Sequence, residues 1–361
     1  MSTNLKSQAP PSPHGSASSS LIIMLPSASS SSLNATAAAS TDVFDIGKHS
    51  TVLLNVEPAE ETTYFFFKKS SSSSSSGNDS NDHRPPKPLL IAAPSDNGEF
   101  PVLQFLHGYL FHNSFYSQLL QHVASHGFIV VAPQLYYMAG ADATDEINSA
   151  AEITNWLPQG LQDFLPAHVL ANLKKLGLAG HSRGGKVAFA LALNKVATAT
   201  TTLKFSALIG IDPVDGRDKG NQTQPPVLTY IPRSFDLDMA VLVIGSGLGE
   251  VKRCLLMPAC APKGVNHEDF FEECKDPAGY FVVKDYGHVD MMDDDTEGFI
   301  GKASKCMCKN GMSREPMRRF VGGAVVAFMK AYMHGDFGDL VAIIEGKAML
   351  PVELQKVDFH V

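Results

Sequence analysis

From Pro88 onward the chain alternates two kinds of segment. Short apolar runs of strand length stand at Leu89–Ala92, Val102–Leu106, Phe128–Ala132, Leu176–Ala179, Phe205–Ile211, Met239–Ile244 and Tyr280–Lys284. Their apolar residues are nearly continuous rather than alternating with polar ones, which predicts strands covered on both faces. Between them lie stretches with apolar residues three and four apart, predicting helices at Ser117–Ser125, Asp145–Trp156 and Arg183–Val196, and a closing helix follows at Met317–Met333. Strand and helix in alternation predict an α/β domain with a mostly parallel sheet of about eight strands flanked by helices. Ahead of Pro88, Phe44–Ile46 and Thr51–Val56 read as antiparallel edge strands, with Tyr64–Phe67 following. The Ser70–Ser76 run and Gly77-Asn78-Asp79 then read as a flexible loop over residues 70–86.

Residues 1–40 show neither period. They hold thirteen serines and no acidic residue, so they cannot bury a core and read as a disordered leader to a domain spanning 41–361. A Ser/Ala-rich, acid-free start also suits a plastid transit peptide, although no arginine precedes Arg84. The Leu21–Leu25 patch is too short for a secretory signal.

Charge narrows the function classes. A formal net charge of −8 argues against nucleic acid or an anionic membrane as the main partner. No apolar run approaches the length of a membrane span. Five cysteines stand at 254, 260, 274, 306 and 308. Cys306-Met307-Cys308 is one residue short of the zinc-binding C-x-x-C spacing, so buried thiols are favoured over a metal site, with a disulfide between those readings. An odd number leaves at least one cysteine free or paired outside the chain. Sequons at Asn34, Asn78 and Asn221 arise from composition in polar loops and carry little weight without a secretory signal.

The chemistry enters at KLGLAGHSRGGKVAFALALNK, residues 175–195, where an apolar strand meets a helix through Gly180-His181-Ser182-Arg183-Gly184. A serine on so sharp a turn has its hydroxyl pushed out of the packed layer, and flanking glycines let the backbone close. Such a serine needs a general base, and the base needs a carboxylate to hold its tautomer. In α/β hydrolases these follow in the order Ser, Asp/Glu, His at later strand ends. Asp212 ends the Phe205–Ile211 strand, and His288 follows Tyr280–Lys284 in Asp285-Tyr286-Gly287-His288. Glu250 and Asp215 are rival acids, His267 and His107 rival bases, and Asp285 and Asp290 rank low because they would have to fold back on His288. The oxyanion donors are read as the Arg183 N–H and the Tyr109 N–H of Leu106-His107-Gly108-Tyr109, with His107 a brace in that loop. Asp293-Asp294-Asp295 reads as a solvated helix start rather than a metal site. The segment 136–170 is read as the cover of the acyl pocket, with Trp156 and Leu157 at its mouth as substrate-binding residues.

GHSRGG at 180–185, FLHG at 105–108, SHGFIVVAPQLY at 125–136 and NSAAEITNWLPQGL at 148–161 closely resemble plant chlorophyllases. So do SALIGIDPVDG at 206–216, NHEDFFEECK at 266–275 and DYGHVDMMDDD at 285–295. The resemblance runs from about residue 42 to the C-terminus and implies an α/β-hydrolase cleaving the phytyl ester of chlorophyll to chlorophyllide and phytol. It puts the family's serine on Ser182, its aspartate on Asp212 and its histidine on His288. It implies no cofactor, the magnesium belonging to the substrate, and it admits a peripheral membrane contact. Chloroplast localisation is expected, with the cytosol or another compartment outside the plastid as the alternative. Two other readings stay open: a generic lipase or carboxylesterase on the same fold, and a pigment- or terpenoid-binding protein that keeps the hydrolase shell.

Overall fold

Nine strands form a single sheet in the order β1-β2-β4-β3-β5-β6-β7-β8-β9. The structure is a computed structural model and describes residues 42–58, 83–255, 257–296 and 298–360. The expected leader, the Tyr64–Phe67 strand and the loop as far as residue 82 lie outside the described residues. The strands are β1 (Thr51–Val56), β2 (Leu89–Pro94), β3 (Gly98–Leu106), β4 (Ile129–Pro133), β5 (Val169–His181), β6 (Ala207–Ile211), β7 (Ala240–Ser246), β8 (Ala278–Val283) and β9 (Leu354–His360). From β4 to β8 along the sheet the pairing is parallel, while β1, β2 and β9 pair antiparallel at the two sides.

The continuous apolar runs are explained by two cores. Successive strand residues point to opposite faces. Thus Val102, Leu208 and Val243 enter one apolar cluster with Ile147, Ile153 and Phe189, whereas Leu103, Ile209 and Ile244 enter the other with Leu120, Val123 and Phe320. Helices α2 (Thr144–Phe164), α3 (Arg183–Ala192) and α4 (His267–Glu273) cover the first face. Helices α1 (Ser117–Ser125) and α6 (Glu315–Met329) cover the second, while α5 (Gly298–Met307) and α7 (Gly338–Ile344) complete the chain order. Both faces being dry, a strand has no reason to alternate.

Two expectations are corrected. Phe44–Ile46 is not a strand: Asp42–Phe44 forms a 3₁₀ turn. Phe44 stacks on Phe320 at 5.9 Å, and Arg319 Nε donates to its carbonyl at 2.9 Å, so this segment serves helix α6 rather than the sheet. The acidic run at 293–295 is not a solvated helix start either. Asp293 is buried and accepts the Gln118 N–H at 3.0 Å, and α5 begins only at Gly298.

For the site, the parallel pairing matters most. Ile211 of β6 lies beside His181 of β5 and Ile244 of β7. Three neighbouring strands therefore end on one edge, and the loops that follow them meet there.

Candidate active site

The turn after β5 is tight because two backbones cross it. Ser182 has φ 56° and ψ −123°, a left-handed conformation that a non-glycine residue adopts only where the surroundings impose it. A Cβ at Gly180 would lie 2.2 Å from the Gly184 carbonyl oxygen, and one at Gly184 would lie 2.3 Å from that of Leu106. Only glycine fits at either position. The G-x-S-x-G spacing is thus what lets β5, β3 and the start of α3 meet around one serine.

His288 reaches that serine from the loop after β8. Its Nε2 lies 2.7 Å from Ser182 Oγ, and its Nδ1 lies 2.7 Å from Asp212 Oδ2. Asp212 follows β6, also with a positive φ of 44°, and is wholly buried. Burial raises the pKa of such a carboxyl. The His288 hydrogen bond and charge, the nearby His267 and the Ser246 hydroxyl together outweigh that and lower it to about 2. Ser246 Oγ donates to Asp212 Oδ2 at 2.5 Å and its amide to Oδ1 at 3.2 Å, while His267 Nε2 stands 3.7 Å from Oδ1. Asp212 is therefore a fixed anion able to hold His288 with Nδ1 protonated and Nε2 bare. A bare Nε2 at hydrogen-bond distance can take the serine proton.

The amides near the serine differ in whether they have a protein partner. Gly108 N–H is engaged, donating to Tyr116 Oη at 3.1 Å. The N–H groups of Tyr109 and Arg183 have no protein partner among the described residues, so they are free to donate to a bound group. His107 does brace this loop: its Nδ1 donates to the Gly108 carbonyl at 2.9 Å and its Nε2 accepts the Leu135 N–H at 3.0 Å. Burial lowers its pKa to about 4, so it stays neutral. A cleft of about 630 Å³ opens on Ser182. It is lined by Tyr109 and Arg183, by Ala139–Ala141 after β4, and by Val214, Gly216, Arg217 and Asn221–Thr223 after β6.

The chain is similar to known proteins along most of its length. A family model described as Chlorophyllase matches residues 39–361. Chlorophyllase-2 of Arabidopsis thaliana is 61% identical over 276 residues, covering 76% of this chain and 86% of that protein. The chain belongs to the chlorophyllase family. Arabidopsis thaliana Chlorophyllase-1 is 48% identical over 271 residues, 75% of this chain and 83% of its own length. "Chlorophyllase-1, chloroplastic" of Citrus unshiu is 48% identical over 279 residues, 76% and 81% respectively. Membership makes the chain a carboxylic ester hydrolase acting on chlorophyll.

Not every residue singled out in the sequence reaches the chlorophyllase cleft. Trp156 and Leu157 do not line it. Leu157 is buried in the core under α2, and Trp156 packs on Phe164 with its Nε1 donating to the His83 carbonyl at 2.7 Å. Of the segment 136–170, only Ala139–Ala141 line the cleft. The helical spacing of α2 shows that one side is buried but not which end of the sheet it covers. The rival acids have other work. Glu250 accepts from Asn266 Nδ2 at 2.8 Å, Asp215 Oδ2 accepts the amides of Val227 and Leu228, and Asp290 accepts those of Gly287 and Gly311. Among the cysteines, Cys260 and Cys308 form a disulfide, Cys274 is a buried thiol, and Cys254 and Cys306 are exposed. Among the described residues no group of three or more His, Cys, Asp or Glu side chains could hold a metal ion. No helix there is long and apolar enough to cross a membrane.

Two partners of Asp212 went unread. Ser246 is the last residue of β7, a position whose only sequence signal is adjacency to a strand end. His267 is a neighbour of the acid, not a base for the serine: its Nδ1 is tied to Tyr280 Oη at 2.7 Å. Its ring comes that close because residue 245 lacks a Cβ, which would lie 2.3 Å from Nδ1.

Proposed function

We propose that the phytyl ester of chlorophyll is cleaved through an acyl-enzyme on Ser182, with His288 as base and then acid and Asp212 as its orienting carboxylate. The continuous chain Ser182–His288–Asp212, both links 2.7 Å, with Ser182 lining an open cleft, carries this reading. His288 takes the Ser182 proton as Oγ attacks the propionate ester carbonyl. The Tyr109 and Arg183 amides receive the developing oxyanion. His288 then gives its proton to departing phytol, and water activated by the same ring releases chlorophyllide. No step requires a cofactor.

The cleft suits an amphiphile. Polar Arg217, Asn221, Gln222 and Thr223 line it together with Tyr109 and the small residues Ala139–Ala141. Exposed Tyr137 and Met138 adjoin Ala139, an apolar rim suited to peripheral contact with the lipid that holds a phytyl chain. The chloroplast is the proposed compartment, in keeping with the word chloroplastic in the names of the Citrus relatives.

Purified protein incubated with chlorophyll a should yield chlorophyllide by chromatography, and Ser182→Ala should lower turnover by about 10³-fold or more. A variant retaining a tenth of wild-type turnover would rule out the serine mechanism. Faster turnover of a short nitrophenyl ester than of chlorophyll would favour the generic esterase reading.

A further inference from the structure

His181, the residue before the nucleophile, has no place in the mechanism above, yet it is wholly buried with its ring centroid 4.7 Å from that of His288. Its Nε2 lies 2.7 Å from the backbone oxygen of His288, and its Nδ1 lies 2.7 Å from Tyr116 Oη. Tyr116, also wholly buried, stands 3.1 Å from the Gly108 amide nitrogen. Each link has only one possible direction. A carbonyl oxygen can only accept, so His181 Nε2 carries a proton. Burial lowers this ring to about 3, so near neutral pH that proton is its only one and Nδ1 is bare. The Tyr116 hydroxyl must then donate to Nδ1, and its oxygen is left to accept the Gly108 N–H.

We propose that Tyr116 and His181 are positioning residues, forming a buried hydrogen-bond wire that sets the backbone of His288 against the oxyanion loop. One end of the wire holds the residue that moves the proton. The other holds the peptide next to the Tyr109 N–H. These groups come from loops far apart in sequence and must meet one carbonyl together, where a misplacement of about 1 Å costs on the order of a hundredfold in rate. The Phe111 ring, stacked on His181 with planes 8° apart, covers the wire on one side. The proposal rests on the reading of Ser182 and His288 as nucleophile and base.

Tyr116→Phe tests it, because the ring and its contact with Phe105 at 5.0 Å are kept while the hydroxyl is lost. The expected result is a fall in kcat on chlorophyll of about 10–100-fold with KM within about twofold, the pattern of an interaction that matters in the transition state. His181→Gln, whose amide can still donate to the His288 carbonyl, should keep about tenfold more activity than His181→Leu. Should these variants fail to fold, ¹⁵N-resolved imidazole NMR of the wild-type protein reads the wire directly. It should show His181 as a single neutral tautomer with the proton on Nε2. A proton on Nδ1, or Tyr116→Phe turning over at the wild-type kcat, overturns the wire. If Ser182→Ala is inactive in the same assay, the nucleophile reading survives that failure. If it is active, that reading fails too.

Discussion

Asp212 concentrates more of the site's electrostatics than any other residue. It is an anion without solvent, holding His288, both donors of Ser246 and the approach of His267. Asp212→Asn keeps the shape and removes the charge that fixes the His288 tautomer. We expect kcat to fall by about 10³–10⁴ with KM little changed, measured on chlorophyll under steady state. Ser246→Ala removes one donor from a carboxylate that keeps the others, so a loss of about tenfold is expected, the scale of one hydrogen bond to a charged group. Ser182, Asp212 and His288 were legible because each stands where a strand signal stops, in the Ser, Asp, His order. Ser246 and His267 were not, because their role depends on β7 and α4 meeting across a residue that lacks a Cβ.

Helix α2 and the loop before it divide what the sequence had joined. The helix buries Ile147, Ile153 and Leu157, and Trp156 belongs to that packing. Trp156→Ala should therefore cost about 3–5 kcal/mol in denaturant unfolding and leave the ratio of phytyl- to methyl-ester turnover unchanged. A selective loss on phytyl esters would return Trp156 to the pocket. The loop at 139–142 is instead tied down by the side chain of Arg183. That guanidinium donates to Glu146 at 2.6 and 2.8 Å, to the Gly140 carbonyl at 2.8 Å and to the Asp142 carbonyl at 2.9 Å. A lysine cannot make this planar set of bonds. Arg183→Lys should loosen the wall formed by Ala139–Ala141 and raise KM for chlorophyll by about tenfold, more than it lowers kcat, on the scale of one lost charged hydrogen bond.

Across the whole molecule, buried histidines set the response to acid. Burial lowers His107 and His122 to about 4 and His181 to about 3, from an ordinary value of 6.5. Below pH 6.5 the unfolded chain binds protons that the folded one refuses. Stability is therefore full above that pH and is lost as pH falls toward 4, by up to about 1.4 kcal/mol per pH unit for each histidine. Asp293, raised to about 6 by burial, acts oppositely: folded, it takes its proton first, and it offsets one histidine below pH 6. Tm should thus drop between about pH 7.5 and about pH 5, measured by thermal melts at constant ionic strength. A flat profile would mean that these rings are not held neutral.

Local pattern by itself determined the order of the central strands along the chain, helices α1, α2, α3 and α6, and the elbow, and it narrowed its partners to a few strand-end acids and histidines among which Asp212 and His288 stood first. Those signals are short-range: a strand's period, a helix's period, a glycine beside a serine. Strand β9 escaped because Leu354–His360 mixes polar and apolar residues, as an exposed edge strand does, and only its pairing with β8 defines it. Phe44 is apolar in either setting, and the docking of its ring on Phe320 decides for the 3₁₀ turn. Tertiary structure alone decided the wall of the cleft, the Cys260–Cys308 pairing, the partners of Asp212 and the wire through His181. Each of these depends on which loops lie side by side once the sheet has formed, and the period of a sequence carries no record of its distant neighbours.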